Sequence, residues 1–182
     1  MVDERAAAFF ALGIAQQVKF PVVLVCTSGS ALLNYYPAIS EAYYSNIPLV
    51  ILSADRPERL LNIGDGQTIN QKNVFDKNIG YSVNLNQNNN DNYFDFFGTR
   101  DNNQDKINNA LNFSIEKQTP VHINIPFSEP LYEITNSLSV NTINKLPGLN
   151  NQNIKNISSF RNKWQNSIKK IILFGVSSPE IL

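Results

Sequence analysis

Residues Pro21 to Pro37 read PVVLVCTSGSALLNYYP, and the fold turns on how this stretch is read. Val22-Val23-Leu24-Val25 is a short β-branched run of the kind that forms a buried strand. It stops at Thr27-Ser28-Gly29, and an apolar-periodic helix follows at once, with Ser30 at its cap position. A strand that turns through small polar residues into a helix places backbone N–H groups and hydroxyls at the carboxyl edge of a sheet. Open α/β sheets bind ligands at that edge. Thr, Ser and Gly also serve plain turn chemistry, so the flanking segments decide what the junction is for.

Upstream, Asp3-Glu4-Arg5 followed by AAAFFALGIAQQVK predicts a helix with Asp3 as its cap and Glu4 in its first turn. The helix is apolar on nearly all sides as far as Gln16, which predicts burial between two layers, with Gly13 admitting a close neighbour. A buried helix that opens a chain with no strand before it points to a leading strand and helix missing from this segment.

Downstream, a helix is expected from about Ser30 to Tyr44, with Pro37 imposing a kink or ending a first piece near Tyr36. A second strand, Pro48 to Ser53, ends in Ala54-Asp55-Arg56-Pro57. Glu58 to Thr68 reads as a loop carrying Gly64, Gly66 and then Gln67. A short helix near Gln71 to Asp76 and a third strand near Tyr81 to Leu85 follow. From Asn84 to Asn109 the composition shifts to Asn and Asp, which reads as a poorly patterned surface insertion. A helix from about Asp105 to Glu116 leads to a strand, Pro120 to Pro126, whose alternation puts His122 and Asn124 on one face. His122 is the only histidine, and a hydrogen-bonded structural role suits it better than catalysis. Phe127 to Pro147 resembles a linker. A helix around Ile154 to Asn166 and a strand Ile171 to Gly175 then begin something new, which points to a cut C-terminus. Strands alternating with helices predict an α/β fold: a doubly wound, mainly parallel sheet with helices on both faces.

With 182 residues, 42% of them hydrophobic, the chain can build one domain with a real core and part of a second. Fifteen residues of each sign give zero formal net charge, and no like-charge block offers a nucleic-acid surface or a polybasic membrane patch. No apolar run approaches a membrane span, and Asp3 and Glu4 precede the N-terminal apolar run where a signal peptide carries basic residues. The single cysteine, Cys26, fits a reducing, cytoplasmic compartment and reads as a small buried hydrophobe. No metal-ligand cluster is present, and the absence of Gly-x-Gly-x-x-Gly at a strand–helix turn argues against a dinucleotide-binding domain.

Four segments now stand in order: DERAAAFFALGIA, VCTSGSALLNYYPAISEA, PLVILSADRP and HINIPFSEPLY. Together, over roughly Val2 to Tyr132, they resemble the N-terminal, pyrimidine-binding domain of thiamine diphosphate-dependent decarboxylase/carboligase enzymes, above all the menaquinone-pathway branch. The resemblance implies a pyrimidine-binding domain over 1–130 without its first strand and helix, a linker over 131–150 and the start of a central domain over 151–182. It implies thiamine diphosphate and Mg²⁺ as cofactors, with the diphosphate and metal held by a domain absent from this chain, so no metal ligand is assigned here.

By the same resemblance Glu4 is the catalytic carboxylate that hydrogen-bonds the ring nitrogen of the cofactor's aminopyrimidine. Thr27, Ser28, Gly29, Asn34 and Pro37 match positions that pack around the pyrimidine. Gln67 matches a glutamine that faces the substrates, and Arg56 could meet a substrate carboxylate, although bracing the strand end suits it better. The implied activity is that of a transferase joining the decarboxylated residue of 2-oxoglutarate to isochorismate, in a homo-oligomer (dimer or tetramer) whose active site lies between subunits. The chain alone is then inactive. The alternatives are another thiamine diphosphate-dependent 2-oxo acid decarboxylase/carboligase, or a catalytically silent truncated α/β module.

Overall fold

A computed structural model describes residues 1–87, 93–128, 132, 134, 157–173 and 175, with side chains from 102 onward in the third helix. The chain divides into two units, Met1–Pro147 and Gly148–Leu182.

The first unit is built on four parallel strands, β1 (Val22–Cys26), β2 (Leu49–Asp55), β3 (Tyr81–Asn84) and β4 (Val121–Pro126), in the order β1-β2-β4-β3. Side chains of β2 alternate between two cores, which shows that the sheet is covered on both faces. Leu49 and Ile51 join Leu24, Cys26, Leu32, Ile39 and Phe75 on one face, beneath α1 (Glu4–Val18), a 3₁₀ segment (Gly29–Tyr35) and α2 (Tyr36–Tyr44). Val50 joins Val121, Ile123 and Ala110 on the other, beneath α3 (Tyr93–Lys117). Each fully buried Leu, Ile or Phe in these cores contributes about 1.5–3 kcal/mol relative to exposure. The expected doubly wound parallel α/β fold is therefore present.

The start of α1 follows its sequence signal. Asp3 Oδ1 accepts from the Ala6 N–H at 2.7 Å, a cap worth about 1 kcal/mol. The burial expected for α1 is one-sided instead. Ala8, Ala11 and Ala15 face the core, whereas Phe9 and Phe10 are 45% and 64% exposed. Alanines spaced three and four apart make the narrow packed stripe, and among the described residues nothing covers the phenylalanines. Gly13 has no close neighbour, so it marks no close approach.

The junction after β1 also differs in detail. The helical segment starts at Gly29 with Ser28, not Ser30, at its cap position, and it stays 3₁₀ until Tyr35. Pro37 then sits in the first turn of α2, where its missing N–H costs nothing, so the break falls where proline chemistry puts it.

Three further expectations need correction. Residues 72–77 form turns and no helix, because Asn73 and Lys77 adopt positive φ (57° and 74°) and break any helical run. The Asn-rich stretch is ordered helix from Tyr93. Ala110, Ile107 and Leu111 pack beneath β4, while Asn103 and Lys106 reach back to Asn84 and Asn86. The Asn side chains there satisfy backbone groups, so they build structure. In the second unit α4 spans Ile157–Asn166, and residues 154–156 lie outside the described residues. Ile171, Ile172 and Leu173 are exposed and not in a strand, since a strand needs a ladder partner; Phe174 lies outside the described residues. Most of the expected linker, 129–131, 133 and 135–147, is likewise outside them.

Candidate functional site

Three groups of residues singled out in the sequence lie at the carboxyl edge of the sheet: Glu4 near the end of β1, the Thr27–Gly29 turn against Gln67, and Arg56 just past β2. Glu4, half-buried at the head of α1, lies close enough to the end of β1 to act electrostatically on Cys26 and Tyr35. Burial first, and then the Glu4 charge, pushes the Cys26 thiol up to about 12. Burial likewise pushes Tyr35 up to about 12, with Cys26 and Glu4 adding to it, and the Tyr35 hydroxyl donates to Val25 O at 2.9 Å. Cys26 and Tyr35 thus stay protonated at neutral pH. Cys26 is a buried thiol with no nucleophilic character.

The turn that leaves β1 is tied down from a distant loop. Gly29 has φ +87°, and a Cβ there would lie 2.8 Å from Gln67 O. Gln67 itself is left-handed at φ 52°. Glycine is required at position 29 on both counts. The Thr27-Ser28-Gly29 turn and Gln67, 38 residues apart in the chain, are therefore packed backbone to backbone. Ser28 is buried, whereas Thr27 and Gln67 are exposed above it. Asn34 and Pro37 are exposed on the 3₁₀ segment and the first turn of α2.

Arg56 takes the bracing role. Its guanidinium lies 3.4 Å from the Asp65 carboxylate and donates to Gly66 O at 3.4 Å, which ties the end of β2 to the loop carrying Gln67. It also borders a cleft of about 520 Å³ over the carboxyl ends of β2, β3 and β4, lined besides by Asp55, Gln71, Lys72, Asn84 and Asn124. Glu4, Thr27 and Gln67 do not line that cleft.

Below the edge lies a polar network that sequence reading did not find as a whole. Ser53 Oγ donates to Asn124 Oδ1 at 2.7 Å and meets His122 Nε2 at 2.7 Å. With the Ser53 proton committed to Asn124, His122 donates from Nε2, and its Nδ1 faces Ser82 Oγ at 3.4 Å. Burial lowers the imidazole to about 4, so His122 is neutral, in keeping with the structural role expected of it. Gln71, 1% exposed, donates to Asn124 Oδ1 and Ala54 O and accepts from the Gly29 N–H at 2.8 Å. One sequence signal was available for Ser53. It falls on the same side of β2 as Leu49 and Ile51, and a polar residue at a core-facing position demands partners. Nothing local announced Gln71.

No cluster of three or more His, Cys, Asp or Glu residues able to hold a metal is found among the described residues. No helix among them is long and apolar enough to cross a membrane.

Residues 1–78 match the family described as "Thiamine pyrophosphate enzyme, N-terminal TPP binding domain". Across its length the chain is 50% identical to a 2-succinyl-5-enolpyruvyl-6-hydroxy-3-cyclohexene-1-carboxylate synthase of Christiangramia forsetii, over 98% of this chain and 33% of the relative. The protein of that name from Flavobacterium psychrophilum is also 50% identical, over 100% of this chain and 31% of its own length. One from Bacteroides thetaiotaomicron is 40% identical, over 96% and 31%. The chain thus spans about a third of the length of the curated relatives it matches. The strand–turn–helix edge, with Glu4 beside it, is the edge of a known kind of domain: this chain belongs to the thiamine pyrophosphate enzyme family.

Proposed function

We infer that this chain is part of a thiamine diphosphate-dependent synthase that decarboxylates 2-oxoglutarate and joins the product to isochorismate in menaquinone biosynthesis. The observation that carries this reading is the half-buried Glu4 at the carboxyl end of β1, in a chain half identical along its whole length to proteins named for that synthase. The residues present fit the pyrimidine end of the cofactor. A carboxylate acceptor stands beside a turn of small residues whose hydroxyl, on Thr27, is open to a ligand.

When bound, thiamine diphosphate supplies the carbon nucleophile that lets a 2-oxo acid lose CO₂. Glu4 would hydrogen-bond the ring nitrogen of its pyrimidine. Thr27, Ser28, Gly29, Asn34 and Pro37 would pack around the ring. Gln67 faces the substrates. Arg56, braced against Asp65, keeps its fork at the rim of the neighbouring cleft, where a substrate carboxylate could reach it. Mg²⁺ and the diphosphate grip are assigned to parts of the enzyme outside this chain. The working form is a cytoplasmic homo-oligomeric transferase, with residues 1–130 as its pyrimidine-binding domain and 151–182 opening the next.

Replacing Glu4 with glutamine in the full-length enzyme should lower turnover at least about 100-fold while circular dichroism shows an unchanged fold. Wild-type turnover by that variant would overturn the assignment. Residues 1–78 match the family at large, which favours as a second reading a carboligase acting on a different 2-oxo acid. Pyruvate outperforming 2-oxoglutarate with isochorismate would select it.

A further inference from the structure

At the carboxyl ends of β2 and β4 the buried polar side chains form one unbroken hydrogen-bonded path, and its direction is set at one end. Asp55 is 7% exposed and accepts at both oxygens: Oδ1 from the Arg56 N–H at 2.8 Å, Oδ2 from Asn124 Nδ2 at 2.6 Å. With its nitrogen committed to Asp55, Asn124 must present Oδ1 to its other neighbours. Two donors meet it there, Ser53 Oγ at 2.7 Å and Gln71 Nε2 at 2.8 Å. The Gln71 nitrogen, which also donates to Ala54 O at 2.9 Å, is committed in turn. Gln71 Oε1 is left facing the Gly29 N–H at 2.8 Å. Four segments distant in sequence are joined: the ends of β2 and β4, the loop after Gln67 and the turn after β1.

The geometry points to Asp55 and Gln71 as positioning residues. Asp55 acts through Asn124 to fix which way the Gln71 amide points, and Gln71 holds the Gly29 turn against the backbone of Gln67. A hydrogen bond to Gly29 sets the height of the turn, and the 2.8 Å that a Cβ would leave to Gln67 O shows how little the two backbones can move apart or together. This inference rests on the reading that Gly29 and Gln67 border the cofactor and the substrates. An asparagine at position 55 has the shape of the aspartate but can also donate. Asn124 can then turn over, which sets its NH₂ against that of Gln71 and removes the acceptor from Gly29.

The test uses the full-length protein with three substitutions: Asp55→Asn, Gln71→Met and, as a control, Ser82→Ala. Ser82 touches the same network only from its far side, through His122 Nδ1. Hydrogen exchange of peptides spanning Thr27 to Leu33 and titration with thiamine diphosphate and Mg²⁺ are the readouts. Asp55→Asn and Gln71→Met should speed exchange at the turn and raise the cofactor Kd, each by at least about tenfold. Ser82→Ala should change neither. Unchanged exchange, faster exchange with unchanged Kd, or an equal response to Ser82→Ala would each overturn the inference. Should Gln71→Met fail to fold, the isosteric Asp55→Asn decides. If the wild-type protein binds no cofactor, the proposed function falls, and exchange at the turn alone then judges the relay.

Discussion

The ends of β2 and β4 and the outer side of β1 belong to one sheet and have opposite characters. At the first, polar side chains are driven inside: Ser53 and His122 are 0% exposed and Asn124 is 2% exposed, each with a hydrogen-bond partner. At the second, apolar side chains are left outside: Val23 and Val25 are 52% and 69% exposed. A buried polar group costs about 1–3 kcal/mol when unpartnered, so the first region exists only because its partners are in place. The exposed valines carry no such condition and constrain little within the described residues. The difference teaches where sequence changes matter: the buried polar residues are the constrained ones, and the outward-facing valines of β1 are the tolerant ones.

The sharpest way to break this contrast is Gly29→Ala. A methyl group at φ +87° and 2.8 Å from Gln67 O combines backbone strain with a clash against main chain that cannot swing away. A loss of about 2–5 kcal/mol is expected in denaturant unfolding. A loss under about 1 kcal/mol would show that the Gly29–Gln67 contact yields easily.

Next comes the titration of His122. Its folded value is about 4 against an ordinary 6.5, so between those values the unfolded chain takes up a proton that the folded chain refuses. Its contribution is intact above about pH 6.5 and is lost as pH falls towards 4, by up to about 3 kcal/mol. Denaturant midpoints at pH 7 and pH 4.5 should therefore differ more in the wild-type protein than in His122→Gln. Equal pH slopes for the two would remove the histidine from the account.

The smallest effect is predicted on the other side of the comparison. Val25→Thr keeps the β-branched shape at an exposed position and should shift stability by less than about 0.5 kcal/mol. A larger loss, measured the same way, would reveal that the flank of β1 is covered in solution.

How much could be read beforehand follows from the range of each signal. β1, β2 and β4 announce themselves through β-branched runs and alternation, and Asp3 announces the start of α1; all are local. The exposure of Phe9 and Phe10 could not be read from α1, because a helix apolar all round does not say which sides find neighbours. Residues 71–76 carry a helical pattern that left-handed Asn73 and Lys77 defeat. Ile171 to Leu173 look like a strand, yet ladder partners are not written in a strand's own residues. At the candidate site, Glu4 and the Thr27–Gly29 turn look locally like an ordinary first-turn acid and plain turn chemistry, and only the resemblance carried by the flanking segments singles them out. The meeting of Gly29 with Gln67 and Gln71 could not be read, since a bond across 42 residues leaves no period to detect.

The strand order has a kinetic consequence. β1 and β2 are neighbours joined by a short crossover, so their parallel pairing can form early, as soon as Val22 meets Leu49. β2 meets β4 only through partners such as Ser53 and Asn124, 71 residues apart, because β3 and α3 intervene in the chain but not in the sheet. During synthesis at about 5–20 residues per second, the nascent β2 thus waits several seconds for its second neighbour. For that interval one side of a Val/Ile/Leu strand is an open template, and non-local pairings of this kind are the slow step in folding. Ser53 and Asp55, polar at the far end of that strand, give it a reason to wait for β4 in particular, since Asn124 of β4 bonds to them both.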